Sequence, residues 1–189
     1  MRRALLVLPL LLVACSSGEE ATPAAVATGA PAIAGVEVAE QELTREHVQG
    51  PVTYDQAPPI GGDHNGRWLA CDVYDEPVPD EFAVHSLEHG AVWLTYAPDL
   101  PADQVEALAA LAELNQEYVL VSPYDDLASP VVAVAWGLTL EVESAEDPRL
   151  AQFVEAYGGG GQGGEPGVPC REGGVSPREA RGLLGSTEA

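Results

Sequence analysis

Glycine and proline divide this chain into a half that resists regular structure and a half that invites it. From about Val36 to Asp80 the backbone is interrupted by Gly50-Pro51, Pro58-Pro59, Gly61-Gly62, Pro77 and Pro79. Proline removes an amide donor and fixes φ, so neither a long helix nor a central strand survives that spacing. An irregular or short-stranded segment this long inside a domain acts as a binding element or as a wrap over a core. Tyr54, Trp68 and Tyr74 are its expected anchors.

Regular elements are expected from Gly90 onward. Ala91 to Tyr96 is rich in β-branched and aromatic residues and reads as a strand. Pro101 to Leu114 carries Val105, Leu108, Ala109 and Ala112 at helical spacing, with acids in its first turns. Tyr118 to Ser122 reads as a short strand closed by Pro123. Val131 to Val142 reads as one long strand, apolar without alternation through Trp136 and so buried on both faces. Asp147-Pro148 supplies an N-cap and a first helical residue. Leu150, Phe153, Val154 and Tyr157 follow at one-face spacing, and Gly158 stops the helix. The β-α-β-β-α order predicts an α+β fold, a small mixed sheet with helices packed on one face and a long irregular N-terminal wrap. It also resembles the second half of a thioredoxin fold, but no CxxC occurs, so that redox chemistry has no support.

The N-terminus indicates the compartment. Arg2 and Arg3 precede a ten-residue apolar run, Ala4 to Val13, which is too short to span a membrane and suits a signal peptide. Leu12-Val13-Ala14-Cys15 resembles the bacterial lipobox, which implies a diacylated Cys15 at the mature N-terminus. The expected layout is a signal peptide over 1–14, lipidated Cys15 and a disordered tether over 15–40, one globular domain over 41–170 and a flexible tail over 171–189. A tether of 20–25 residues spans about 25–30 Å, so the domain would stand just off the extracytoplasmic face of the cell membrane. Cys71 and Cys170 then remain, and in an exported chain a disulfide is their expected state, the alternative being Cys71 as a free thiol or as a ligand beside His64. Its loop of roughly 100 residues corresponds to roughly 4–5 kcal/mol in the chain-entropy picture.

Charge narrows the partners. The chain has 30 acidic residues, 8 arginines and no lysine, for a net charge of −22. Cleavage before Cys15 removes two arginines and takes the net charge from −22 to −24. Phosphate backbones and bare anionic membranes would repel such a surface, which excludes nucleic acid as a partner and leaves the lipid anchor to hold the membrane. A hydrophobic fraction of 46% is too high for wholesale disorder. The glycine-rich stretch from Gly158 is not a phosphate loop, since it lacks GxxxxGK[ST] and follows no strand.

The chemistry-bearing residues are histidines. His85 and His89 lie in His85-Ser-Leu-Glu-His89 and would share one face of a helical turn over Glu81 to His89. His64 sits among small residues in Gly61-Gly-Asp-His-Asn-Gly66, which would let its ring approach them. Three neutral imidazoles with Glu88 as ligand or orienting group suit Zn²⁺ or Cu²⁺. The competing reading is that the rings only satisfy loop backbone groups. Met1 is the sole methionine, which excludes a Met-rich Cu(I) site. The same five residues formally match the HxxEH motif of inverted zinc proteases, but Gly90 and a strand cut any helix short. Glu155 and Glu165 qualify as the missing glutamate by separation alone. Asp125-Asp126 and the pair Glu141 and Glu143 read as solvated turn and strand acids. Three functions follow from these residues: a metal-binding domain, a non-enzymatic envelope interaction domain with structural histidines, and a zinc hydrolase using Glu88 as base.

Five segments carry a family resemblance: Pro58-Pro-Ile-Gly-Gly-Asp-His64, Val73-Tyr-Asp-Glu-Pro-Val-Pro79, Val84-His-Ser-Leu-Glu-His-Gly90, Val121-Ser-Pro-Tyr124 and Ala135-Trp-Gly137. In order and across residues 50–157 they resemble the bacterial envelope family called domain of unknown function 3105. The family pattern resembles P-P-x-S-G-x-H where this chain has Gly61 and Asp63, a departure that leaves His64 in place. The resemblance implies an exported or membrane-anchored single domain and no established reaction.

Overall fold

The computed structural model describes residues 32–185. Cys15, the leader and most of the tether lie outside that range. Among the described residues no helix is long and apolar enough to cross a membrane.

The centre is a five-stranded mixed sheet. Its strands are β1 (Val36–Val38), β4 (Val92–Tyr96), β5 (Val119–Pro123), β6 (Val131–Ala135) and β7 (Leu138–Val142), in the spatial order β1-β7-β6-β4-β5. β4 and β5 run parallel, joined through helix α2 (Ala102–Leu114), and the other pairings are antiparallel. A separate parallel pair joins β2 (His47–Val48) to β3 (His64–Asn65). Helices α1 (Asp80–Glu88), α3 (Pro148–Tyr157) and α4 (Pro177–Gly185) complete an α+β fold.

Both faces of the sheet are covered, which is why β6 reads as continuously apolar. Val92, Leu94, Val119, Val121, Val131, Ala133, Leu138 and Leu140 meet Leu108 and Ala112 of α2 and Leu150 and Phe153 of α3. On the opposite face Trp93, Leu120, Val132 and Val134 meet Phe82, Val84 and Leu87 of α1 and Ala180 of α4. The two helices expected on one face are there; α1, expected as a helical turn over Glu81 to His89, forms a second layer on the other face with α4, which the sequence reading did not include.

Three other expectations are corrected. The single strand Val131 to Val142 is a hairpin, because Gly137 adopts φ +71° and turns the chain so that Ala135 pairs with Leu138. The segment assigned to the tether contains β1, which pairs with β7 and follows buried Ile33. The expected frayed C-terminus carries α4, whose Ala180 is fully buried. The irregular wrap is present as expected. Tyr54 Oη donates to the Asp63 carbonyl at 2.9 Å, and Tyr74 Oη donates to the carbonyl of Ala70. Cys71 and Cys170 meet as a disulfide, Cα atoms 5.1 Å apart, tying the wrap to the segment before α4.

Candidate metal centre

The C-terminal end of α1 positions half of the site. Apolar and acidic residues follow Pro79, and every residue from Glu81 to Glu88 is buried. The helix stops in a Schellman arrangement: Gly90 N–H donates to the Leu87 carbonyl and Ala91 N–H to that of Ser86. Gly90 at φ +96° takes the left-handed position. This ending leaves His85 and His89 one turn apart on a single face, their Nε2 atoms 3.1 Å from each other. The i, i+4 placement expected from HSLEH is therefore present.

The wrap supplies the other half. Gly61 at φ +147° and Gly62 at φ +113° occupy backbone conformations that side chains rarely adopt, and a Cβ on Gly61 would run into Leu43 and Trp136. That turn drives His64 inward until it is fully buried. In the two-residue β2/β3 pair, His47 stands directly opposite His64. All four histidines of the chain consequently come together. Their rings lie 4.6–5.0 Å apart in the pairs His47–His64, His47–His85, His64–His85 and His85–His89. One donor atom each from His47, His64, His85 and Glu88 forms a set whose members all lie within 4.8 Å of one another. His47, to which the sequence reading gave no role, joins this set. His89 is not in it, although it touches His85.

The hydrogen bonds settle which nitrogens are free. His64 Nδ1 lies 2.8 Å from the Gly62 carbonyl and His85 Nδ1 2.6 Å from the Asn65 carbonyl. A carbonyl oxygen only accepts, so each Nδ1 carries the proton and each Nε2 faces the cluster. Metal-ligating histidines are oriented by this same arrangement. His64 Nε2 is 3.0 Å from Glu88 Oε2, and His47 Nε2 is 3.7 Å from the same oxygen. Donors about 2.0–2.1 Å from a tetrahedral Zn²⁺ stand about 3.3 Å apart, which these separations bracket. Burial pushes the His85 pKa down to about 3, with the neighbouring rings adding to the effect and the Asn65 bond opposing it. His85 therefore stays a neutral lone-pair donor down to mildly acidic pH. Burial also lowers the His89 pKa, against the opposing pull of Glu165.

Several other groups frame the cluster. Trp68 lies 4.8 Å from His89 and 5.8 Å from His85, and Trp136 meets His64 edge-on at 5.9 Å. Arg45 Nε is 3.9 Å from Glu88 Oε1. The glycine-rich loop closes over the end of α1, with Gly159 N–H on the Gly90 carbonyl and Glu165 N–H on that of Glu88. It carries Glu165 to within 3.5 Å of His89 Nε2. Glu165, which the sequence reading considered only for its separation from HxxEH, thus reaches the motif, whereas Glu155 lies on α3 with its side chain exposed. Asp125, Asp126, Glu141 and Glu143 are exposed as expected. A groove of about 380 Å³ opens beside His47 and Arg67 and offers an approach to the cluster. A larger cavity, about 750 Å³, lies instead along residues 39–44, 52–56 and 59–63, and no histidine lines it. Donor chemistry rather than cavity size locates the candidate site.

A His/Glu group that could hold a metal ion is thus present, with His64, His85 and Glu88 buried and His47 exposed, assembled from three segments of the chain. No curated protein and no solved structure matches the sequence. The family described as Protein of unknown function (DUF3105) matches residues 47–172, a span that takes in all four histidines, Glu88, Glu165 and both disulfide cysteines, and the chain belongs to that family.

Proposed function

We infer that this protein binds a transition metal, Zn²⁺ or Cu²⁺, through His64, His85, Glu88 and His47, with His89 adjoining them, on a domain anchored by lipid at the extracytoplasmic face of the cell membrane. One observation carries the metal reading. His64 Nε2 faces Glu88 Oε2 at 3.0 Å while its Nδ1 is committed to a backbone carbonyl. A proton or a metal ion between these two atoms holds them together, and the donors of His47 and His85, within 4.8 Å of both, favour the metal. Imidazole-rich sets select Zn²⁺ and Cu²⁺ over hard cations. The anchor reading is supported by the Leu12-Val13-Ala14-Cys15 pattern behind its charged and apolar leader.

The test is metal analysis of chain purified without a histidine tag, stripped with chelator and reloaded. Stoichiometric zinc or copper with a rise in melting temperature is expected. Absence of both signals overturns the reading. For the anchor, Cys15→Ala should release the protein from membranes, and retention would remove lipidation as its cause.

A second reading is favoured by the bond from His85 Nδ1 to the Asn65 carbonyl, which pins the wrap to α1, and by that from His64 Nδ1 to the Gly62 carbonyl, which fixes the turn within the wrap. In an envelope interaction domain with structural histidines, His85→Ala would lose the same stability with and without metal. In the metal-binding reading most of the loss appears only when metal is present.

A further inference from the structure

The donors of the cluster can be divided into two groups, with His85, which also belongs to the set of His47, His64 and Glu88, at the junction. The first is His64 Nε2 and His47 Nε2, at 3.0 and 3.7 Å from the shared Glu88 Oε2. The second is His85 Nε2 and Glu165 Oε2, at 3.1 and 3.5 Å from His89 Nε2. His89 does not join the set of donors that all lie within 4.8 Å of one another. A single octahedral ion with bonds of about 2.1 Å keeps even its opposite donors about 4.2 Å apart, so it cannot collect all six.

The chemistry of the second group is that of a metal position in its own right. His85 Nδ1 is committed to the Asn65 carbonyl, so its only lone pair is on Nε2, the atom nearest His89. The two rings stand at 83°, their Nε2 atoms close to the spacing of two ligands on one tetrahedral ion. Nδ1 of His89 is buried with no hydrogen-bond partner, which leaves Nε2 as the atom through which this ring interacts. Two histidines and one carboxylate form a familiar donor set for zinc with a position left open. Each group also contributes one carboxylate, so neither ion would face an uncompensated double charge.

We propose that the cluster holds two transition-metal ions, one among His47, His64 and Glu88 and a second among His85, His89 and Glu165. This rests on the metal-binding reading above and adds to it the count, the second position and Glu165 as a ligand. The second position has a distinct origin in the chain, since Glu165 arrives on the glycine-rich loop whose amide bonds the Glu88 carbonyl. Its carboxylate side chain is 59% exposed, while His89 is 3% exposed.

The test uses the full chain without a tag, stripped and titrated with Zn²⁺ alone, with bound ions counted by native mass spectrometry. Two equivalents are expected for the unmodified chain. Glu165→Gln should weaken one of the two by 10-fold to 100-fold and leave the other unchanged. His64→Ala should remove the complementary one. The exposed position of Glu165 makes its substitution safe for folding, so the outcome does not depend on a buried variant surviving. One equivalent in the unmodified chain, unaffected by Glu165→Gln, overturns the second position and leaves the metal reading standing. No bound zinc, with no bound copper in the earlier assay, removes both.

Discussion

Gly163→Ala tests whether the glycine-rich loop is built to lie against the end of α1. A Cβ at Gly163 would collide with the backbone carbonyl oxygen of Glu88, and the Leu87 carbonyl would lie within 2.9 Å of it. Both are backbone atoms of a buried helix end, so the loop has to move instead. Overpacking of this kind costs about 1–3 kcal/mol. In a domain of this size each kcal/mol shifts the melting temperature by about 2–4 °C, so a drop of about 2–12 °C is expected. The displaced loop would also carry Glu165 away from His89, breaking its amide bond to the Glu88 carbonyl. The control is two residues away. A Cβ at Gly161 meets nothing within 4 Å, so Gly161→Ala should be neutral or slightly stabilising, by up to about 1 kcal/mol. Both variants would be read by differential scanning calorimetry and by zinc titration. Equal melting temperatures for the two would refute the claim that close approach, rather than chain flexibility, explains the glycines.

Two further perturbations address stability. Replacing Cys71 and Cys170 by serine frees a loop with a sequence separation of 99, for which chain entropy gives about 4–5 kcal/mol; urea unfolding should show a loss near that size, and a loss under about 1 kcal/mol would contradict it. Asp80 bears on pH. Burial raises its pKa to about 6, with Glu81 adding to the effect and the Tyr124 hydroxyl opposing it. The folded state then holds a proton between about pH 4 and 6 that the unfolded state releases, so this group favours folding in acid and loses that contribution as pH rises through 6. Allowing for partial exposure and for its favourable place at a helix N-terminus, Asp80→Asn should stabilise by about 1 kcal/mol at pH 7 and by nothing at pH 4. An advantage that grows on acidification would reverse the assigned sign.

Elements with periodicity were legible, and those too short for periodicity were not. The run from β4 through α2 and β5 follows from its apolar spacing, and α3 from Asp147-Pro148, where the Asp147 side chain accepts from Arg149 N–H as a cap should. The β6–β7 turn was missed because Trp136-Gly137 is not one of the Asn-Gly or Asp-Gly pairs that announce a hairpin. α4 had a readable signal in Ser176-Pro-Arg-Glu179. The Glu179 carboxylate accepts from Ser176 N–H at 2.9 Å and the Ser176 hydroxyl from Glu179 N–H at 3.3 Å, a capping box with proline at the first helical position. His47 had no such signal. Two-residue strands have no period, and only their pairing with each other brings His47 opposite His64. Glu165 was visible as a separation without a context, because the context is a loop folding back over α1.

The net charge and the site answer different questions about cations. A surface at −22 concentrates every cation nearby, calcium and magnesium included, and confers no choice among them. Choice depends on donors, and here the donors are four imidazoles, three buried and His47 half exposed, against two carboxylates, Glu88 buried and Glu165 at the rim. Hard cations need oxygen ligands in numbers that this set does not offer. Imidazoles with Nδ1 fixed on backbone carbonyls bind without first having to be oriented, and burial keeps His85 from being neutralised as a ligand by protonation. In the metal-binding reading, discrimination lies in the meeting of a rigid helix end with a wrap that proline and glycine force into shape. On that reading the acids would supply local concentration and the histidines selection, and the two can be separated experimentally. Raising ionic strength should weaken capture of every divalent ion through screening, while the preference for zinc over calcium should stay unchanged.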